Sequence, residues 1–237
     1  MIKTIFFDLD GTLLPMDQDE FLKNYFGRLV EKMVPHGYEP NRLTKSIWAC
    51  TGAMVKNTGK ATNEEIFWNS FSEIYGRDTR SDEPIFQEFY QKEFQEVRHC
   101  CGFDVRAAQT IQELKKQGFQ LVLATNPLFP AIATQSRVRW AGLEPEDFVW
   151  ITTYENASCC KPNPDYYREI LDKLDLQPEE CLMVGNDVEE DMIAQSLGMR
   201  VFLLTDCLIN KYQKEINAFP NGSFPELLTF IRGLTEC

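Results

Sequence analysis

Basic residues are in short supply in this chain. Twenty-four Lys and Arg stand against 36 Asp and Glu in 237 residues, a net charge of −12. A chain this acidic has no overall field for nucleic acid or an anionic membrane surface. Histidine is nearly missing, with only His36 and His99, and none of the eight cysteines stands in a C-x-x-C pair. A zinc site therefore has little to draw on. No apolar run approaches the ~20 residues that a membrane helix needs. The first residues run straight into a strand pattern rather than a secretory leader. Cys50, Cys100, Cys101, Cys159, Cys160, Cys181, Cys207 and Cys237, two adjacent pairs among them, fit small half-buried side chains kept as reduced thiols. The expected location is cytoplasmic.

What is present is ordinary in bulk and specific in detail. The apolar and charged fractions, 43% and 25%, are those of a globular protein. The length allows one large domain plus one small one. Ile2 to Phe7 is an apolar, partly β-branched run that predicts a buried strand, and it leads directly into Asp8-Leu9-Asp10-Gly11-Thr12-Leu13. Strand side chains alternate, so Asp8 and Asp10 emerge on one side, and Gly11 allows a sharp turn. Two carboxylates so placed repel unless a cation or a retained proton relieves them. The simpler reading, in which both acids only punctuate a turn, explains neither their position at a strand end nor the sequence that follows.

The pattern then changes. Phe21 to Val34, Arg42 to Lys56, Ile66 to Tyr75 and Ile85 to Val97 carry apolar residues at helical spacing or lie between such stretches. Pro35-His36-Gly37, Gly76 and Asp82-Glu83-Pro84 punctuate them. From Ala107 onward helix and strand alternate. Strands are predicted at Phe119–Ala124, Phe148–Thr153, Cys181–Val184 and Val201–Leu204. Helices are predicted at Ala107–Gln117, Pro130–Ala141, Asp165–Leu174, from the Gly185–Asp191 loop to Leu197, and at Phe224–Ile231. This predicts an α/β fold: a doubly wound parallel-sheet, Rossmann-like core (residues 1–14 and 101–237) with an inserted, smaller all-α domain (residues 15–100).

Ligands of such sheets bind beyond the carboxyl ends of the strands. There the sequence places Asp8 and Asp10, Thr125 and Asn126, and the loop Gly185 to Asp191, with Lys161 on a loop beyond a fourth strand. Each alone has a bland explanation as a turn, a solvated charge or a helix start. Together they fit phosphoryl chemistry, with a carboxylate nucleophile, a carboxylic acid to move protons, and a hydroxyl, amides and a lysine for the phosphoryl oxygens. A hard divalent cation such as Mg²⁺ would fit beside them.

Asp8-Leu-Asp-Gly-Thr-Leu13, Thr125, Lys161-Pro162 and the acidic loop Gly185–Asp191 resemble, in order and spacing, the four motifs of the haloacid dehalogenase-like hydrolase superfamily. The helical insert resembles that superfamily's C1-type cap. The resemblance implies a Mg²⁺-dependent phosphatase acting on a small phosphorylated metabolite through an aspartyl-phosphate. By motif, Asp8 would be nucleophile and metal ligand, and Asp10 the acid/base with its carbonyl on the metal. Thr125, Asn126 and Lys161 would bind phosphate, with Lys161 also steadying Asp8. The fourth motif departs from the common Gly-Asp start, because Asn186 follows Gly185. Either Asp187 supplies the ligand, with Asp191 as a direct or water-mediated partner, or Asn186 does; an ionised carboxylate favours Asp187. A phosphomutase, a 2-haloacid dehalogenase and a non-catalytic binding protein are alternatives on the same scaffold. Asp17, Asp19, Glu20, Tyr25, Trp48 and Trp68 are the insert's candidate substrate contacts.

Overall fold

The computed structural model describes residues 1–235; Cys237 lies outside them. The first strand, β1 (Thr4–Phe7), is fully buried and forms the middle of the sheet. Four helices follow it in the chain: α1 (Gln18–Met33), α2 (Pro40–Val55), α3 (Asn63–Tyr75) and α4 (Glu83–Gln91). Then come α5 (Val105–Lys116), β2 (Gln120–Leu123), α6 (Ala131–Trp140), β3 (Trp150–Ile151), α7 (Pro164–Leu174), β4 (Cys181–Gly185), β5 (Arg200–Leu204), β6 (Asn221–Gly222) and α8 (Phe224–Thr235). The sheet order is β3-β2-β1-β4-β5-β6, and every pairing is parallel. The α/β doubly wound architecture is thus as the alternation predicts.

Period-2 alternation sorts the strand residues onto two faces. Ile5, Phe7, Leu121, Leu123, Leu182 and Val184 join one apolar cluster with α5 and α8, and the same cluster continues through the buried faces of α1 to α4. Phe6, Val122, Met183, Val201 and Leu203 face the other way, onto Tyr166, Tyr167, Ile170 and Leu171 of α7. Helix starts are set by side chains that accept the first free amides. Asp17 caps α1, a Thr62–Glu65 capping box opens α3, Asp104 caps α5, and Asn163 caps α7 ahead of Pro164.

Three local expectations need correcting. The segment after the Gly185–Asp191 loop, Met192–Leu197, is a 3₁₀ turn rather than an α-helix. Residues 93–100 are also 3₁₀, so the helix expected over 85–97 ends at Gln91. The strand expected over 148–153 pairs only at Trp150 and Ile151, because β2 is its sole neighbour on the sheet edge. One strand goes unpredicted: β6 is two polar or glycine residues, and only its pairing with β5 makes it a strand.

Among the described residues no helix is long and apolar enough to cross a membrane. Seven cysteines are free there, and all but Cys101 and Cys207 are buried.

Candidate active site

The chain leaves β1, returns as β2 on one side, and later enters β4 on the other. The crevice beyond the carboxyl ends of β1 and β4 is therefore the topological switch point of the sheet. A cavity of about 340 Å³ opens there, lined at its base by Asp8, Asp10, Thr125, Asn126, Asn186, Asp187, Glu190 and Asp191. The residues singled out from four separate stretches of sequence converge on this one place.

Asp8 directly follows β1, and its amide donates to the Val184 carbonyl (2.9 Å), locking the end of β1 to β4. The turn beyond it depends on glycine. Gly11 has φ +85°, and a Cβ there would stand 2.3 Å from Asn186 Nδ2. Gly185 is closed in the same way, since a Cβ on it would come within 2.1 Å of Asp191 Oδ2. Gly11 thus lets the first motif press onto the fourth, and Gly185 lets the fourth-motif turn fold back on itself.

Lys161 comes up from the loop before α7, at a cis Lys161–Pro162 bond. It is 1% exposed. Its Nζ donates to Asp8 Oδ1 at 2.9 Å and to Asp191 Oδ1 at 2.7 Å. Burial works against its ammonium form, but Asp191 and Asp8 outweigh that and hold it charged, well above the usual lysine range. The other Asp191 oxygen accepts the Asp187 amide at 2.9 Å. Both oxygens of Asp191 are therefore occupied, and the residue braces Lys161 against the fourth-motif turn.

Thr125 and Asn126 follow β2. The Thr125 carbonyl accepts from Thr152 Oγ1 (2.7 Å) and Tyr166 Oη (2.9 Å), which fixes the backbone and leaves the threonine side chain beside the cavity. Asn126 Nδ2 donates to Glu190 Oε2 at 3.0 Å, while its Oδ1 is buried with no partner among the described residues. Burial, partly opposed by Lys161, pushes the Glu190 carboxyl up to about 7.

Asn186 and Asp187 differ sharply in what they have free. Asn186 Oδ1 accepts from Thr12 Oγ1 (3.0 Å), and its Nδ2 donates to the Cys207 carbonyl (2.7 Å). Its amide is spent at both ends on joining loops. Asp187 Oδ1 accepts the Glu189 and Glu190 amides at 2.7 and 2.9 Å, and no bond to Oδ2 is made among the described residues. Asp8 Oδ2 is free in the same sense. Two open carboxylate oxygens and the Asp10 main chain beside one cavity are a donor set that fits a hard divalent cation. Among the described residues no three His, Cys, Asp or Glu side chains converge as a metal group. Mg²⁺ does not require that, since it commonly takes one or two carboxylates and keeps its waters.

Sequence reasoning misses one charged residue. Arg137 on α6 is completely buried, and its Nη1 donates to Asp10 Oδ2 in an ion pair. Its guanidinium carbon lies 4.4 Å from the Phe129 ring centroid, and Nη2 and Nε reach Thr134 Oγ1 and the Ala133 carbonyl, each at 3.4 Å. Asp10 Oδ1 is buried and unpartnered among the described residues. Desolvation raises the Asp10 pKa from its ordinary value, with Arg137 pulling against it. Of the insert's candidates, Tyr25, Trp48 and Trp68 line the cavity, whereas Asp17, Asp19 and Glu20 do not.

Curated proteins and solved structures resemble this chain. A curated relative, the pyrophosphatase PpaX of Bacillus cereus (strain ATCC 10987 / NRS 248), is 24% identical over 199 residues, covering 84% of this chain and 81% of its own. The solved structure of a 2-haloacid dehalogenase from Pseudomonas syringae pv. Tomato DC3000 superposes with TM-score 0.64 at 18% identity, covering 99% of this chain and 100% of its own. That of a predicted phosphoglycolate phosphatase from Haemophilus somnus 129pt gives 0.58 at 20% identity, over 97% and 98%. A family model for haloacid dehalogenase-like hydrolases matches residues 2–196, the stretch that carries every motif residue described above, and this chain belongs to that family.

Proposed function

We propose that the protein is a phosphatase that hydrolyses a small phosphorylated metabolite through an aspartyl-phosphate on Asp8. The observation that carries this reading is the floor of the cavity: Asp8 with a buried Lys161 at 2.9 Å, beside an Asp10 whose pKa is raised by desolvation. Asp8 attacks phosphorus, and the bond from phosphorus to the leaving oxygen breaks. Asp10, protonated, gives its proton to that oxygen from Oδ1, the atom Arg137 leaves unoccupied. In the second step Asp10 takes a proton from water as the water oxygen attacks phosphorus. The bond from phosphorus to Asp8 breaks, and inorganic phosphate leaves. Lys161 and the Thr125 hydroxyl, with main-chain amides near Asn126, offset the phosphoryl charge. Asp8, the Asp10 carbonyl and Asp187 would hold Mg²⁺, which when bound neutralises charge on the phosphoryl oxygens. Asp191 acts indirectly, through Lys161 and the Asp187 amide.

In this reading residues 15–100 form a cap that chooses the substrate, and 1–14 with 101–237 form the catalytic core. A halide leaving group needs no proton, so an Asp10 with a raised pKa and one buried, unpartnered oxygen favours phosphate esters over haloacids. The test is phosphate release from a panel of phosphate monoesters with and without Mg²⁺. Turnover of a 2-haloacid in EDTA, with no phosphate release, would overturn the proposal.

A further inference from the structure

Above its acidic floor the cavity is a box of aromatic and aliphatic side chains. Phe21, Tyr25, Phe26, Trp48, Trp68 and Phe129 belong to its wall, with Gln18 and Thr51 as uncharged polar side chains among them. The rings brace one another: Phe26 and Trp48 lie with centroids 5.5 Å apart, and Tyr25 meets Phe129 edge to face at 5.4 Å. Two pairs of polar tips on the wall are spent on each other. Tyr25 Oη and Tyr90 Oη share a hydrogen bond at 3.0 Å, and Trp68 Nε1 donates to Tyr154 Oη at 3.4 Å. Burial lifts the Tyr25 phenol to about 12, so this wall stays neutral at any working pH.

Cations are missing from the lining. Among the described residues that surround the cavity there is no Lys, Arg or His, and its ionisable side chains are all carboxyls or phenols. The nearest cations, Lys161 and Arg137, are buried behind the floor and already paired with Asp8, Asp191 and Asp10. They serve the reacting phosphoryl group and its acid, and offer nothing to a second anion further out. An anionic leaving group would lose its water against an apolar wall and find no cationic side chain there to pair with. A neutral, flat, apolar group would gain ring contacts on several sides.

We propose that the substrate is a phosphate monoester of an uncharged, largely apolar alcohol, aromatic or similarly flat, with no second phosphate or carboxylate. This inference rests on the phosphatase reading above. It separates the chain from relatives named for pyrophosphate and phosphoglycolate, whose leaving groups carry an anion.

The experiment compares primary alkyl phosphates that share one kind of leaving oxygen: 3-phenylpropyl phosphate and 5-(phosphonooxy)pentanoate, with pyrophosphate and phosphoglycolate alongside. Phosphate release is measured with Mg²⁺. The phenylpropyl ester is expected to show kcat/KM at least about 100-fold above each anionic substrate, roughly what one well-filled apolar subsite achieves. Trp48→Arg changes a half-exposed wall residue and should narrow that ratio by about tenfold or more, through a gain on the pentanoate ester. Equal or better turnover of an anionic substrate by the native protein overturns the substrate class and leaves the phosphatase reading standing. Absence of phosphate release from every ester overturns both.

Discussion

Lys161 Nζ sits 2.9 Å from Asp8 Oδ1, at the bottom of a cavity where the lysine is almost wholly shielded from solvent. The lysine reaches there from a loop 153 positions further along the chain. Its second partner, Asp191, is equally buried. Removing the ammonium would leave two carboxylates facing each other in a low-dielectric site. Lys161→Met is therefore expected to lose about 3–5 kcal/mol of stability, the usual result of deleting one member of a buried ion pair. Phosphate release should fall by ~10²–10³-fold or more, as for loss of a preorganised electrostatic donor. Urea unfolding and steady-state kinetics check the two effects separately.

Arg137 fastens one oxygen of Asp10 and leaves the other free to carry a proton. If its role is to position that acid, its loss should depend on how much protonation the leaving group needs. Arg137→Met should slow an alkyl phosphate by ~10²-fold or more, within the range ascribed to general acid catalysis. It should slow p-nitrophenyl phosphate, whose leaving oxygen needs little protonation, by less than about tenfold. Equal losses on both esters would show that the arginine only holds the fold together.

Asn186 and Asp187 compete for one place in the fourth motif, and their hydrogen bonds predict the outcome. Asp187→Asn should raise the Mg²⁺ concentration for half-maximal activity by about tenfold or more, because an amide is the poorer ligand. Asn186→Ala should leave that concentration nearly unchanged. It should instead cost about 1–3 kcal/mol for each group left unpaired, here the Thr12 hydroxyl and the Cys207 carbonyl. Mg²⁺ titrations and thermal melts of both variants decide; the opposite pattern would assign the ligand to Asn186.

A pH dependence of stability follows from the start of α5. Asp104 caps that helix and pairs with Arg106 (Nη2 to Oδ2 2.6 Å), whose hydrogen bonds hold its carboxyl below the ordinary value of 3.8. A carboxyl with a lowered folded-state pKa stabilises the fold above its unfolded pKa, and that contribution is lost as pH falls through the folded value. Asp104→Asn keeps a good cap but removes the charge. The variant should be less stable than the native protein by about 0.2–1 kcal/mol at pH 7, as for exposed ion pairs. The gap should close below about pH 4.

Much of the fold is written in local patterns. The apolar run before Asp8, the helix and strand alternation after Ala107, and the polar residues at strand ends are short-range signals, and they locate the site at the sheet edge. Arg137 lies beyond such reasoning, because its partner Asp10 is 127 positions away and nothing near it in sequence marks it as buried. The division of labour between Asn186 and Asp187 is hidden for the same reason: it is decided by Thr12 and Cys207, which only the tertiary fold brings near. The residues 221–222 carry no alternation to read, and become a strand through the edge that β5 offers.

In the proposed reaction Asp8 itself accepts the phosphoryl group. Protein turning over a phosphate ester can be quenched, reduced with borohydride, and mapped by peptide mass spectrometry, since an acyl-phosphate is reduced to the corresponding alcohol. Homoserine at position 8, absent without substrate and absent in Asp8→Asn, is the predicted result. An unmodified Asp8 in protein caught during turnover, together with an Asp8→Asn variant that still releases phosphate at the native rate, would contradict it.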